Sequence, residues 1–165
     1  MRKRITIISI SIVLIALFAA FCVNTIAEVF GLGYSYDNWH EEYINKAGTL
    51  KIPDGWHTEV FDNGVAMLDS DDNICMIGFY GKAYKYKDIY VSCQETVSSV
   101  ALSNSACYGK KRGQIGNQNR DVLFLSLFCS PRNLGSITFY AYDESITLKT
   151  VKQIAKSFEM ITSKS

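Results

Sequence analysis

The sequence predicts an α+β fold, an antiparallel β-sheet flanked by helices, preceded by an N-terminal transmembrane or signal helix. Three observations carry that expectation. Short apolar runs separated by Gly, Pro, Asn and Asp fill the middle of the chain, as strands joined by turns do. An apolar stripe at three- and four-residue spacing closes it, as in a helix lying on a sheet. A long uncharged run follows a basic start at the N-terminus.

Residues 1–30 are read as a membrane anchor or signal segment. Arg2, Lys3 and Arg4 precede Ile5 to Val23, about 19 residues without a charge, the length of one bilayer-spanning helix. The basic foot stays on the cytoplasmic side. This predicts a single-pass protein of the cell membrane, held through residues 5–23, with its C-terminal domain outside the cytoplasm. The competing expectation is a secreted protein released by cleavage near Ala27, where Thr25-Ile26-Ala27 offers a small residue to the peptidase. Residues 31–47 read as a polar and aromatic connector, interrupted by Gly31 and Gly33, with room for a short helix over Asp37 to Lys46.

The folded domain is placed at 48–165. Thr49 to Ile52 alternates, Pro53-Asp54-Gly55 makes a turn and Trp56 follows. Val60-Phe61 and Val65 to Leu68 flank Asp62-Asn63-Gly64, a hairpin signal. Asp69 to Asn73 is a further turn, and Ile74 to Tyr80 is apolar on both parities, as a strand covered on both faces is. Residues 88–102 carry two signals. Ile89-Tyr90-Val91 has strand character, while Tyr90, Cys93, Val97 and Val100 share one helical stripe, and the helix is preferred. Lys110 to Gly113 and Gly116 to Asn119 read as loops around a short strand at Gln114 and Ile115. Strands follow at Val122 to Cys129 and Ile137 to Tyr142. Leu148, Val151, Ile154, Ala155, Phe158 and Ile161 then define the closing helix, with Thr147 as its cap and Gln153 on its polar side.

In this order, Thr49-Leu50-Lys51-Ile52-Pro53-Asp54-Gly55-Trp56, the two late strands and Ile154-Ala155-Lys156-Ser157-Phe158 resemble the PsbP-like (Mog1/PsbP-fold) domains. These are small exported domains named after the photosystem II extrinsic protein. The resemblance covers about residues 48–162. It implies an α/β/α sandwich and a non-catalytic binding or assembly role at a membrane surface, and it transfers no site residue.

Function classes narrow further by charge and motif. Three of the 17 basic residues stand at positions 2–4 and all 16 acidic residues lie at or after Glu28. The rest therefore carries 14 basic against 16 acidic groups, without the positive field that nucleic-acid binding needs. No phosphate loop, metal-ligand spacing or cofactor motif appears, so no cofactor is expected. Asp69, Asp71 and Asn73 imitate the start of a calcium loop, which fails at Ile74 and Tyr80. Cys75, Cys93, Cys107 and Cys129 are an even set that export would allow to form disulfides, with buried free thiols as the alternative. A helical 90–104 would hold Cys93 and Cys107 too far apart to pair.

Two surfaces remain. Tyr80, Lys82, Tyr84, Lys85, Tyr86 and Lys87 interleave rings and cations, either as a contact for an envelope protein or other surface partner, or as an edge strand protected by lysine. The alternative to a binding module is a cell-envelope hydrolase, whose Cys/His or His/carboxylate site must use His40 or His57.

Overall fold

A computed structural model of the chain describes residues 34–45, 47–81, 84–103, 105–129 and 135–161, together with four isolated helical positions, Val13, Ile15, Phe18 and Ala19. All the strands belong to the compact unit Tyr36–Ser165. In chain order they are β1 (Trp39–Ile44), β2 (Gly48–Pro53), β3 (His57–Phe61), β4 (Gly64–Leu68), β5 (Ile74–Tyr80), β6 (Lys85–Tyr86), β7 (Ile89–Ala101), β8 (Ala106–Ile115), β9 (Gln118–Phe128), β10 (Ser136–Ala141) and, after helix α1 (Leu148–Lys156), β11 (Glu159–Met160). They form a small sheet, β1-β2-β11, and an eight-stranded sheet, β3-β4-β5-β10-β9-β8-β7-β6. Every ladder is antiparallel.

Alternation along the strands divides the apolar residues between two cores. Val65 and Met67 of β4, Leu125 and Leu127 of β9 and Ile137 and Phe139 of β10 face α1 and the small sheet, packing with Leu50, Ile52, Val151, Ile154 and Phe158. The intervening residues, among them Ala66, Leu68, Phe79, Val122, Phe124 and Tyr140, line the inside of the curled sheet. The curl brings its two end strands together. The Tyr86 hydroxyl of β6 donates to Glu59 Oε2 of β3 at 2.8 Å, the Phe61 and Tyr86 rings lie 4.6 Å apart, and Lys87 Nζ reaches Glu59 at 3.4 Å. Side chains, not a ladder, therefore complete a nearly closed barrel.

The two-faced burial of β5 matches its uninterrupted apolar run, for Cys75 to Phe79 are all buried. A register shift between Met67 and Leu68 inserts one extra residue opposite, which puts both Cys75 and Met76 on the α1 side. Thr147 caps α1 by accepting from the Thr150 N–H. Gln153, expected on the polar face, is buried, and Leu148 and Ile161 are exposed. The apolar stripe therefore continues only to Phe158, after which the chain turns and pairs β11 with β2.

The architecture corrects several expectations. It is not an antiparallel sheet flanked by helices, nor the α/β/α sandwich implied by the PsbP-like resemblance: among the described residues 34–161, α1 is the one helix, and the large sheet folds on itself. Residues 89–101 are strand, because β-branched residues in an extended arm outweigh the helical stripe. Of the loops expected around 110–119, Lys110 to Gly113 are the middle of β8 and Gln118-Asn119 the start of β9, while Gly116-Asn117 is the turn between them. The connector at 31–47 contains β1, whose Ile44 lies in the core together with Ala47.

Among the described residues, no helix is long and apolar enough to cross a membrane. The expected transmembrane helix, and the single-pass location with an external C-terminal domain drawn from it, therefore find no support among the described residues. Most of residues 5–23, and the cleavage position near Ala27, lie outside the described residues.

Candidate functional site

Strand β7 is longer than the neighbours available to it. On one side β8 pairs with it from Val91 to Ala101, but on the other β6 meets only Ile89 and Tyr90. From Ser92 to Ala101, no described strand occupies that second edge. A row of main-chain N–H and C=O groups left open in this way is a template for another strand. The segment Thr96-Val97-Ser98-Ser99-Val100-Ala101 carries no charge and no proline. It is exposed throughout, with Val97 at 47% and Val100 at 50%.

Local geometry confines the usable part of this edge. Register shifts between Cys93 and Glu95 and between Thr96 and Ser98 are bulges that bend β7. Glycines on β8 accommodate them, since a methyl group at Gly109 would overlap the Ser98 carbonyl oxygen and one at Gly113 the Ser92 carbonyl oxygen. Beyond the second bulge, Ser98 to Ala101 pair regularly with Lys110 to Cys107.

Beside the first half of the edge lies a depression of 570 Å³. Ser92, Gln94 and Glu95 of β7, Arg112 and Gln114 of β8, and Asn119 and Asp121 of β9 line it. Arg112 Nε donates to Asp121 Oδ1 at 3.1 Å. Such a wall of amides and both charge signs suits main-chain and polar side-chain groups. Arg120 borders the depression but serves the fold. It donates to the Ala141 and Tyr142 carbonyl oxygens at the end of β10 and pairs with Glu144 at 3.6 Å.

The residues singled out in the sequence are dispersed. Cys75, Cys93, Cys107 and Cys129 are free thiols, which corrects the disulfide expectation. Cys75 and Cys129 pack with the α1-side core, Cys93 and Cys107 with the barrel interior. Cys93 opposes Gly113 and Cys107 opposes Ala101, so six residues of β8, roughly 20 Å, separate them. Burial pushes the Cys75 thiol up to about 12, with Asp69 and Asp143 adding to it, and burial also raises Cys93 and Cys129.

The Tyr and Lys series does not form one face. Tyr86 is buried in the barrel, Tyr84 packs on Phe79, and the Tyr80 hydroxyl donates to the Asn45 carbonyl. Lys85 and Lys87 are exposed, and Lys82 lies outside the described residues. His40 sits between Glu42 at 3.3 Å and Asp54 at 3.4 Å, and His57 meets Asp72 at 3.3 Å. Both histidines thus face exposed or half-exposed carboxylates rather than thiols. Asp69 accepts from the Asp71 and Asn73 N–H groups and the Asn73 amide, which hold its carboxyl below the usual carboxylate range. The calcium-like turn is therefore tied by its own hydrogen bonds. Among the described residues, no group of three or more metal-ligating side chains converges.

No protein-family model, no curated protein and no solved structure matches the chain. The β7 edge thus stands on its own geometry. Sequence reasoning missed it because Cys93, Val97 and Val100 fall on a helical period. The signal that could have found it is the uncharged, β-branched stretch from Thr96 to Ala101.

Proposed function

We propose that the chain is a non-catalytic binding or assembly module that acts by strand addition at the β7 edge. The observation that carries this reading is the open main-chain edge from Ser92 to Ala101. An added extended segment would satisfy those N–H and C=O groups and cover Val97 and Val100, while the polar depression at Gln94, Arg112 and Asn119 would select its side chains. The main chain supplies affinity in this mode, and the alternating side chains supply specificity.

A panel of extended eight-residue peptides, titrated against the full chain by fluorescence anisotropy, tests it. Uncharged β-branched peptides are expected to bind and to protect the Ser98–Ala101 amides from hydrogen exchange. Replacing Ser99 by Pro in the protein, which stiffens the edge and removes an N–H, should weaken binding about tenfold or more. Equal binding to the variant, with no added amide protection, would remove the β7 edge from consideration.

A further inference from the structure

We propose that the strand added at β7 is β7 of a second copy of this chain, forming an antiparallel pair about a two-fold axis at Ser99. This assignment rests on the strand-addition reading and names its partner.

Symmetry and register support it together. An edge that pairs with itself about a two-fold axis must do so antiparallel, the pairing used by every described strand. Ser98 opposes Lys110 on β8 and Val100 opposes Tyr108, so Ser98 and Val100 point to one face. Ser99, opposite Gly109, points to the other. A two-fold axis at Ser99 sets Ser99 against its mate and Ser98 against the mate's Val100. Opposed residues then share a face, as an antiparallel ladder requires. An axis between Ser98 and Ser99 would put opposed side chains on different faces. The bulges lie N-terminal to Ser98, so the central pairs, Ser98 to Val100, come from the regular part of each edge, and Ala101 meets the mate's Val97 at the second bulge.

Charge agrees with the same occupant. Thr96 to Ala101 is uncharged, and self-pairing therefore opposes no like charges along the ladder. The nearest acid on the strand, Glu95, would lie roughly 25 Å from its symmetry mate, about three Debye lengths at physiological salt. The Lys110 ammonium groups, one strand back on each copy, stand on the order of 15 Å apart with both β7 strands between them. Each Val100, half exposed in one copy, is covered by the facing Ser98 and the apolar stem of Lys110.

The test uses the full chain in sedimentation velocity across a dilution series, with two variants. Val100→Lys places two cations on one face, diagonally across the axis and about 8 Å apart, and should weaken self-association about tenfold or more, leaving the far-UV spectrum unchanged because Val100 is half exposed. Ser99→Cys should yield, on mild oxidation, a covalent dimer whose cross-link maps by mass spectrometry to position 99 of both chains. A chain that stays monomeric at every concentration overturns the second copy as partner. A dimer that Val100→Lys does not weaken and Ser99→Cys does not trap overturns it as well. If peptides still bind and protect the Ser98–Ala101 amides in either case, strand addition survives with another partner. If they do not, both fall.

Discussion

At the scale of single residues, the glycines explain more of the fold than their turn positions suggest. Gly55 and Gly116 do have positive φ, at 84° and 58°. Gly64, which the Asp62-Asn63-Gly64 signal marks as a turn residue, has another duty. A methyl group there would overlap the Gly78 carbonyl oxygen of β5 and press on the Phe61 ring. The Gly64→Ala variant is therefore expected to lose about 2 kcal/mol or more through forced separation of the two strands. Chemical denaturation measures this, and an unchanged midpoint would show that β4 and β5 can part at no cost. Gly78 meets a similar constraint beneath the Phe139 ring. Sequence reasoning saw the hairpin at Gly64 but not the close approach, because the approaching atom belongs to a different strand.

At the scale of elements, the parts read correctly are those whose signal is local. β2, β4, β5, β10 and the capped start of α1 lie where alternation, apolar runs and Thr147 place them. The misread parts depend on partners. β7 has exposed residues on both faces from Gln94 onward, so no alternation marks it. β8 contains Lys110, Lys111 and Arg112, whose charges suggest a loop. Lys111 in fact sits 4.7 Å from the Phe124 ring centroid and 5.8 Å from that of Tyr140, a cation over aromatic faces. The meeting of β3 with β6 gives a test at this scale. The Tyr86 hydrogen bond, foremost, and the Lys87 ammonium hold Glu59 below its ordinary 4.5 against a counteracting burial effect. Tyr86→Phe should cost about 1 kcal/mol and let Glu59 titrate closer to 4.5, as NMR of the side-chain carboxyl would show. Because the carboxylate is the favoured form, the stabilisation it gives is present above pH 4.5 and fades as pH falls through its lowered value. A Glu59 titration identical in the variant would detach Tyr86 from this role.

For the whole molecule, three weak acids on β5 and β10, Cys75 and Tyr140 buried and Tyr80 partly so, set the alkaline limit of stability. Burial raises Cys75 from 9.0, and Tyr80 and Tyr140 from 10.0, each to about 12. The fold favours the neutral form of all three, so their contribution is complete below pH 9 and is lost as pH rises from 9 toward 12. The denaturation midpoint is expected to stay level to about pH 9 and then fall, with Cys75→Ala flattening the first part of that fall. A midpoint that is level to pH 11 would contradict the burial of these groups. The sequence signalled a mixed sheet-and-helix domain, whereas the described residues are mostly strand, with α1 the single helix placed among them. The curling of eight strands around a second core was not legible, because closure depends on Glu59, Phe61 and Tyr86, which are far apart in the chain. The same long separation hid the candidate site, since an edge is open only relative to strands that end elsewhere.

That closure has a mechanical corollary. Where the two end strands touch, the wall is fastened like a collar with a clasp: a hydroxyl on a carboxylate, an ammonium and two rings. Undoing the clasp breaks none of the main-chain ladders, so resistance to opening along that line comes from these side chains and the apolar interior behind them.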